Sequence, residues 1–377
     1  MLSPEKLLRE LIALPSVNPA FMPDQTDWIG EHRVSEFLAH WAERLGLELE
    51  FQKVLPHRFN LLARLIPSGG KPKQRILLAP HMDTVGVVNE SKFKPVLRGD
   101  RLFGRGACDT KGSVAAMFSA LLQIAESGTR PVRTEITFLA LIDEENGQAG
   151  SRKFAASRKK ANLAIVGEPT RNRLVTAHKG GFWLRLTTAG KAAHGAAPHL
   201  GRNAVHEMAK AVDLIESKYA KALKRKRHKL LGNPTVNVGV MRGGRQPNIV
   251  PDHCEILIDR RTLPGETEKI VRGELNELFR SRGLKVLITN AKDTVLDALE
   301  TDPAMPLVDQ FLRSLRQKEP FGVDFFCDAA PLAAGGIPSV VFGPGDIAQA
   351  HTEDEWISIK SLNRATEQLK KYLRSLP

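Results

Sequence analysis

Apolar residues along this chain fall into two kinds of run. Short, nearly continuous runs recur at RILLAP (75–80), EITFLALI (135–142), NLAIVG (162–167) and SVVFGPG (339–345). Such runs suit strands buried on both faces. Between them the apolar positions take helical spacing. Leu7, Leu8, Leu11 and Ile12 mark one face of a helix over 4–14, and Ser3-Pro4-Glu5 supplies a cap, a first-turn proline and an early acid. The same reading predicts helices over 30–45 and 111–127 and strands over 59–66, 75–80, 134–142 and 162–166. Strands alternating with helices imply an α/β fold with a mostly parallel, helix-covered sheet.

From about residue 176 the rhythm changes. GGFWLRLTTAG is a strand, 202–218 a helix, TVNVGVMRGG and HCEILIDRRT two strands, ETEKIVRGELNELFRSR a helix and LKVLITN a strand. This β-α-β-β-α-β order is ferredoxin-like. After 290 the alternation resumes with PLVDQFLRSLR and IPSVVFG, and a helix over 358–375 closes the chain. The expected organisation is a discontinuous catalytic domain, 1–175 and 291–377, interrupted by an α+β domain over 176–290.

Composition narrows the class. At 377 residues two domains are expected, and 42% hydrophobic residues suit a globular core. No apolar run approaches the roughly 18 residues of a membrane span, and the N-terminal helix does not read as a signal peptide. Three scattered cysteines, Cys108, Cys254 and Cys327, argue for a reducing cytoplasm rather than a disulfide framework. Cys108 precedes a candidate ligand, yet a small buried thiol is its simpler reading. The net charge of +13 invites a nucleic-acid partner, but the densest basic run, KALKRKRHK (221–229), has no interleaved aromatic and no binding signature accompanies it. It reads as a solvated helix end, and the basic balance suits steering of small anionic substrates.

The chemistry lies in five motifs in fixed order: His81-Met82-Asp83, Asp109 in RGACDTKG, Asp143-Glu144-Glu145, Glu168 in GEPT and His351 in AHTEDE. Four of them follow the buried-strand runs. Ligands gather at the carboxyl ends of strands in open α/β sheets, and imidazoles and carboxylates converging there can hold two divalent metals. Asp83 lies two residues beyond His81, on the same side of an extended segment, so its carboxylate can accept the imidazole's other N–H. Alternation sends Glu144 and Glu145 to different sides of the chain.

The combination, from SVNP (16–19) to AHTEDE, resembles the M20 family of metallopeptidases and N-deacylases, which includes acetylornithine deacetylases, succinyl-diaminopimelate desuccinylases and glutamate carboxypeptidases. The resemblance implies that Asp109 bridges two metals, with His81 and Glu168 completing one site and Glu145 and His351 the other. Zinc suits these ligands, with cobalt or manganese as substitutes. It implies further that Glu144 is the general base, that the peptide after Asp109 is cis, and that the inserted domain is a lid through which the chain forms a homodimer. His194 in KAAHGAAPHLGRNA would then reach the partner subunit's site and donate to the oxyanion.

Asn248 in QPNIVP and Arg260 in DRRT match insert positions that contact substrate. Arg260 could clamp a carboxylate or simply form a surface salt bridge, because Arg261 adjoins it. His178 and His199 stay unassigned. Cys327 precedes Asp328 where the family often has Ser or Thr. The expected enzyme is a dizinc amidohydrolase acting on an N-acyl amino acid, in the manner of acetylornithine deacetylases. A desuccinylase or a dipeptide or glutamate carboxypeptidase is the alternative.

Overall fold

The buried-strand runs become neighbours in one sheet in the computed structural model, which describes residues 3–24, 27–292 and 294–377. The sheet runs Glu48–Leu55, Arg58–Leu65, Thr134–Ala140, Gln74–Pro80, Leu163–Gly167, Ser339–Val341 and then Val175–His178. The four strands from Thr134–Ala140 to Ser339–Val341 are parallel, and the flanking pairs are antiparallel. Leu78 stands opposite both Phe138 and Ile165, so three parallel strands end side by side. This shared edge positions the site.

The helix Lys111–Glu126 is buried almost all round, with Val114, Met117, Phe118 and Leu121 fully enclosed. It packs against the sheet on one side and against Pro4–Ala13 and Ile359–Arg374 on another. An interior helix needs no polar face, which is why SVAAMFSALL carries none. Phe118 meets Phe138 of the central sheet at 4.9 Å between ring centroids.

The chain forms two compact units: Met1–Thr176 with Thr301–Phe321 and Cys327–Pro377, and Ala177–Glu300 with Gly322–Phe326. The second unit outlasts the expected end at 290. Leu299–Glu300 pairs with Ala177 and His178, a two-residue ladder too short to leave a pattern in sequence.

The second unit's four-stranded antiparallel sheet runs Thr235–Gly243, His253–Thr262, Gly180–Ala189 and Leu287–Asn290. Its strand order is ferredoxin-like, with Ala204–Leu214 and Glu268–Arg280 as the two helices. Cys254, Ile256 and Ile258 alternate onto one face and share a core with Met208, Val271 and Phe279. Asn203 caps the first helix by accepting from Val205 N and His206 N. Beyond Leu214 that helix widens into a π turn, Ile215–Tyr219, and ends at Leu223. No helix among the described residues is long and apolar enough to cross a membrane.

His178 is wholly buried, its Nδ1 2.8 Å from the carbonyl of Lys179. Burial pulls its imidazole down to about 4 from 6.5. The folded chain therefore binds this proton less readily than the unfolded chain. Stability that is full above pH 6.5 is lost as pH falls through 4, by up to about 3 kcal/mol. Denaturant unfolding of metal-free protein between pH 7 and 4 should show a shallower acid loss in His178→Phe than in the wild type. Equal slopes would contradict this account.

Candidate metal centre

Each parallel strand delivers one motif at its carboxyl end. His81 follows Gln74–Pro80 and bridges to Leu141, Asp143 to Glu145 follow Thr134–Ala140, and Glu168 follows Leu163–Gly167. Asp109 arrives on the loop that enters helix Lys111–Glu126, and its peptide bond to Thr110 is cis. His351 stands in the left-handed region, at φ 61°, beyond the strand Ser339–Val341.

The Asp109 carboxylate lies between two imidazoles. Its Oδ1 is 3.2 Å from His81 Nε2 and its Oδ2 is 3.3 Å from His351 Nε2. Each imidazole then has a glutamate of its own: Glu168 Oε1 at 3.8 Å from His81 Nε2, and Glu145 Oε2 at 3.0 Å from His351 Nε2. The structure thus gathers His81, Asp109, Glu145, Glu168 and His351 into two sets that share one carboxylate.

Divalent cations fit this donor set. Ligand atoms of His81, Asp109 and Glu145 lie within 4.8 Å of one another. Glu145 Oε1 and Glu168 Oε1 are buried without a hydrogen-bond partner among the described residues. An orphaned buried carboxylate oxygen costs free energy unless a cation or donor meets it. Charge points the same way. Burial, and then neighbouring carboxylates, raise Glu168 well above the usual carboxylate range. Burial and Asp109 push Glu145 up to about 7. Asp109 and Glu145 hold His351 up at about 10.

Glu144 is raised well above the usual range as well, first by burial. Among the described residues its Oε1 meets the Gln148 amide, at 3.5 Å. Nearby, the buried Asp328 accepts from Ser151 Oγ at 2.5 Å and is pushed up to about 7 by burial. Cys108, Cys254 and Cys327 are all free and buried, and burial raises the Cys108 and Cys327 thiols.

Asp83 faces His81 and holds the neighbouring acidic loop as well. His81 Nδ1 donates to the backbone carbonyl of Asp83 at 3.0 Å, while the carboxylate Oδ1 lies at 3.5 Å. That carboxylate also accepts from Glu144 N at 3.1 Å, Glu145 N at 3.2 Å and Asn18 Nδ2 at 2.8 Å. It therefore holds the main chain of the acidic pair. Asn18 Nδ2 also reaches Asp143 Oδ1 at 3.0 Å, which accepts from Arg58 at 3.1 Å. Arg58 pairs in turn with the buried Glu31 at 2.5 Å. Asn18 lies inside SVNP and Glu31 at the start of the expected helix over 30–45, but neither segment reads in sequence as a support of the site. Arg58 and Glu31 carry no local signal, because their partner Asp143 is 85 and 112 residues away.

The second unit places its three candidates apart in character. His194 and Asn248 are exposed and stand on two strapped loops. Gly195 N donates to Asn248 O at 2.7 Å, and Val250 N to Ala193 O at 2.9 Å. His194 Nδ1 accepts from Ala196 N at 3.1 Å. Arg260 is neither an exposed clamp nor a surface ion pair. It is fully buried on the helix-covered face and donates to Tyr219 Oη at 3.0 Å, Glu266 Oε1 at 2.7 Å and the Arg261 carbonyl. Arg261 alternates to the opposite face, where it pairs with Asp259 at 3.0 Å and lies over Phe326. His199 is exposed.

Known proteins are similar to this chain over nearly its whole length. The model of peptidase family M20/M25/M40 matches residues 77–375. Acetylornithine deacetylase of Photorhabdus laumondii is 33% identical over 370 residues, covering 94% of this chain and 92% of that protein. Aminopeptidase PepT from Bacillus cereus superposes with a TM-score of 0.80 at 22% identity, covering 99% of this chain and 98% of that one. A dinuclear metal-binding peptidase of the M20 family from Bacillus subtilis gives 0.69 at 13% identity, covering 98% and 96%. With that family match and 33% identity to a full-length relative, the chain belongs to peptidase family M20/M25/M40 and is a metal-dependent hydrolase of amide or peptide bonds.

Proposed function

We propose that this enzyme holds two divalent metals, zinc by preference, and removes the acyl group from an N-acyl amino acid. The observation that carries the reading is the Asp109 carboxylate, with one oxygen toward His81 and the other toward His351. His81, Asp109 and Glu168 would hold one metal, and Asp109, Glu145 and His351 the other. The acetylornithine deacetylase relative supports a deacylase over a general peptidase, and the dinuclear Bacillus subtilis neighbour supports two metals over one. When bound, such metals acidify water and polarise the amide carbonyl.

The chain's own groups do the rest. Glu144, raised by burial and bonded to the Gln148 amide at a long 3.5 Å, takes a proton from the attacking water and hands it to the leaving amine. Asp83 keeps Glu144 and Glu145 in place through their main-chain N–H groups. His194 and Asn248 supply donors to the reacting oxyanion or the substrate. Arg261, which points away from the helices, replaces Arg260 as the arginine for an anionic substrate. The chain works as a homodimer through its inserted domain, whose edge strand Thr235–Gly243 leaves most of its length exposed for a second copy. Its free thiols suit the cytoplasm.

A substrate panel tests the activity. With zinc or cobalt, N-acetylornithine and other N-acetyl amino acids should give kcat/KM at least tenfold above N-succinyl-diaminopimelate and dipeptides. A preference for dipeptides would overturn the deacylase reading.

Paired variants test the roles and the dimer together. Glu144→Gln should keep two metals per chain by elemental analysis while turnover drops by about 10²–10⁴. Loss of metal would make Glu144 a ligand instead. Mixing Glu144→Gln chains with inactive His194→Ala chains should restore up to about a quarter of wild-type activity, since half the dimers then hold one complete site. No recovery despite subunit exchange would place His194 outside the partner's site.

A further inference from the structure

One buried carboxylate near this centre has no part in the scheme above. Glu355 is 3% exposed and closes the motif AHTEDE four residues after His351. Four donors from the Asp109 loop converge on it. Oε1 accepts Cys108 N at 2.7 Å and Asp109 N at 2.9 Å, and Oε2 accepts Gly106 N at 2.9 Å and Arg105 NH1 at 2.7 Å. The Glu355 carbonyl also accepts Gly104 N at 3.1 Å. A carboxylate offers about four lone-pair sites, and here each meets an N–H.

The contacts matter for what they join. The 104–109 loop carries the shared carboxylate of Asp109, and the 351–355 segment carries His351, 242 residues further on. No backbone ladder described for this structure ties 104–109 itself to 351–355. The short strand Trp356–Ser358 pairs with Arg101–Phe103 just beyond them. Glu355 thus sets where the Asp109 main chain stands relative to His351, and its bond to Asp109's own amide fixes the start of that side chain.

We propose that Glu355 is a positioning residue of the metal centre, which registers the Asp109 loop against the His351 segment so that both can hold the same ion. The proposal rests on the metal-ligand roles given above to Asp109 and His351. Glutamine in its place keeps the volume but supplies one acceptor oxygen and an NH₂ that opposes the loop's N–H groups. Loss of an outer hydrogen-bonding partner of this kind typically weakens metal binding by about 10–100-fold.

The test reads the metal rather than turnover. Metal-stripped wild type, Glu355→Gln and Glu355→Asp are titrated with Co(II) against a competing chelator, following visible absorption, and the metal-free forms are melted by circular dichroism. Glu355→Gln should bind Co(II) about 10–100-fold more weakly, with an altered absorption band, while remaining folded. Glu355→Asp, which keeps the charge but retracts it by one methylene, should fall between it and wild type. A Glu355→Gln protein of wild-type affinity and spectrum, whatever its melting temperature, would reduce Glu355 to a fold staple and overturn the proposal. Should Glu355→Gln not fold, unchanged affinity in Glu355→Asp overturns it equally. Wild type failing to bind Co(II) would defeat the ligand assignment and this inference with it.

Discussion

The architecture of the first unit converges on sharing one carboxylate between two imidazoles. Asp109 meets His81 through one oxygen and His351 through the other, and each imidazole has its own glutamate. Side by side with these stand Glu144, Asp83 and the buried Asp328. Burial first, and then repulsion among so many acids, raises Glu144, Glu145, Glu168 and Asp328, and that is the cost of the pocket. Protonation relieves it at the expense of nucleophile and ligand; divalent cations relieve it while creating the chemistry.

Such a cluster stays in place only if its main chain is held. On one side Asp83 grips the amides of Glu144 and Glu145, and Asn18, Arg58 and Glu31 brace Asp83 and Asp143 from behind. On the other side Glu355 grips the amides of Cys108 and Asp109. Both devices use a buried carboxylate to satisfy N–H groups that no helix or strand could satisfy, since the loops at strand ends have no ladder partner. The groups assigned above to metal and substrate are thereby kept free of that duty.

Much of this was legible in the chain. RILLAP, EITFLALI and NLAIVG are apolar enough to announce buried strands, and the motif after each announces the site edge. The β-α-β-β-α-β order of the second unit was readable for the same reason. Arg260 was readable but misread. In ILIDRR the period of two that buries Ile256 and Ile258 also buries Arg260 and turns Arg261 away, so a resemblance prevailed over a local rule. Asp83 was read as a partner of His81, beside which it stands, but its bonds to amides 61 and 62 residues away left no mark in the sequence. Arg58, Glu31 and the role of Glu355 depend on pairings across 27 to 250 residues, and no periodicity encodes those.

Anomalous diffraction from zinc-loaded crystals, recorded at the zinc absorption edge, tests the shared carboxylate most directly. Two peaks are expected per chain. One should contact His81, Asp109 and Glu168, and the other Asp109, Glu145 and His351, with a different Asp109 oxygen on each. A single peak, or two peaks of which only one touches Asp109, would contradict the account.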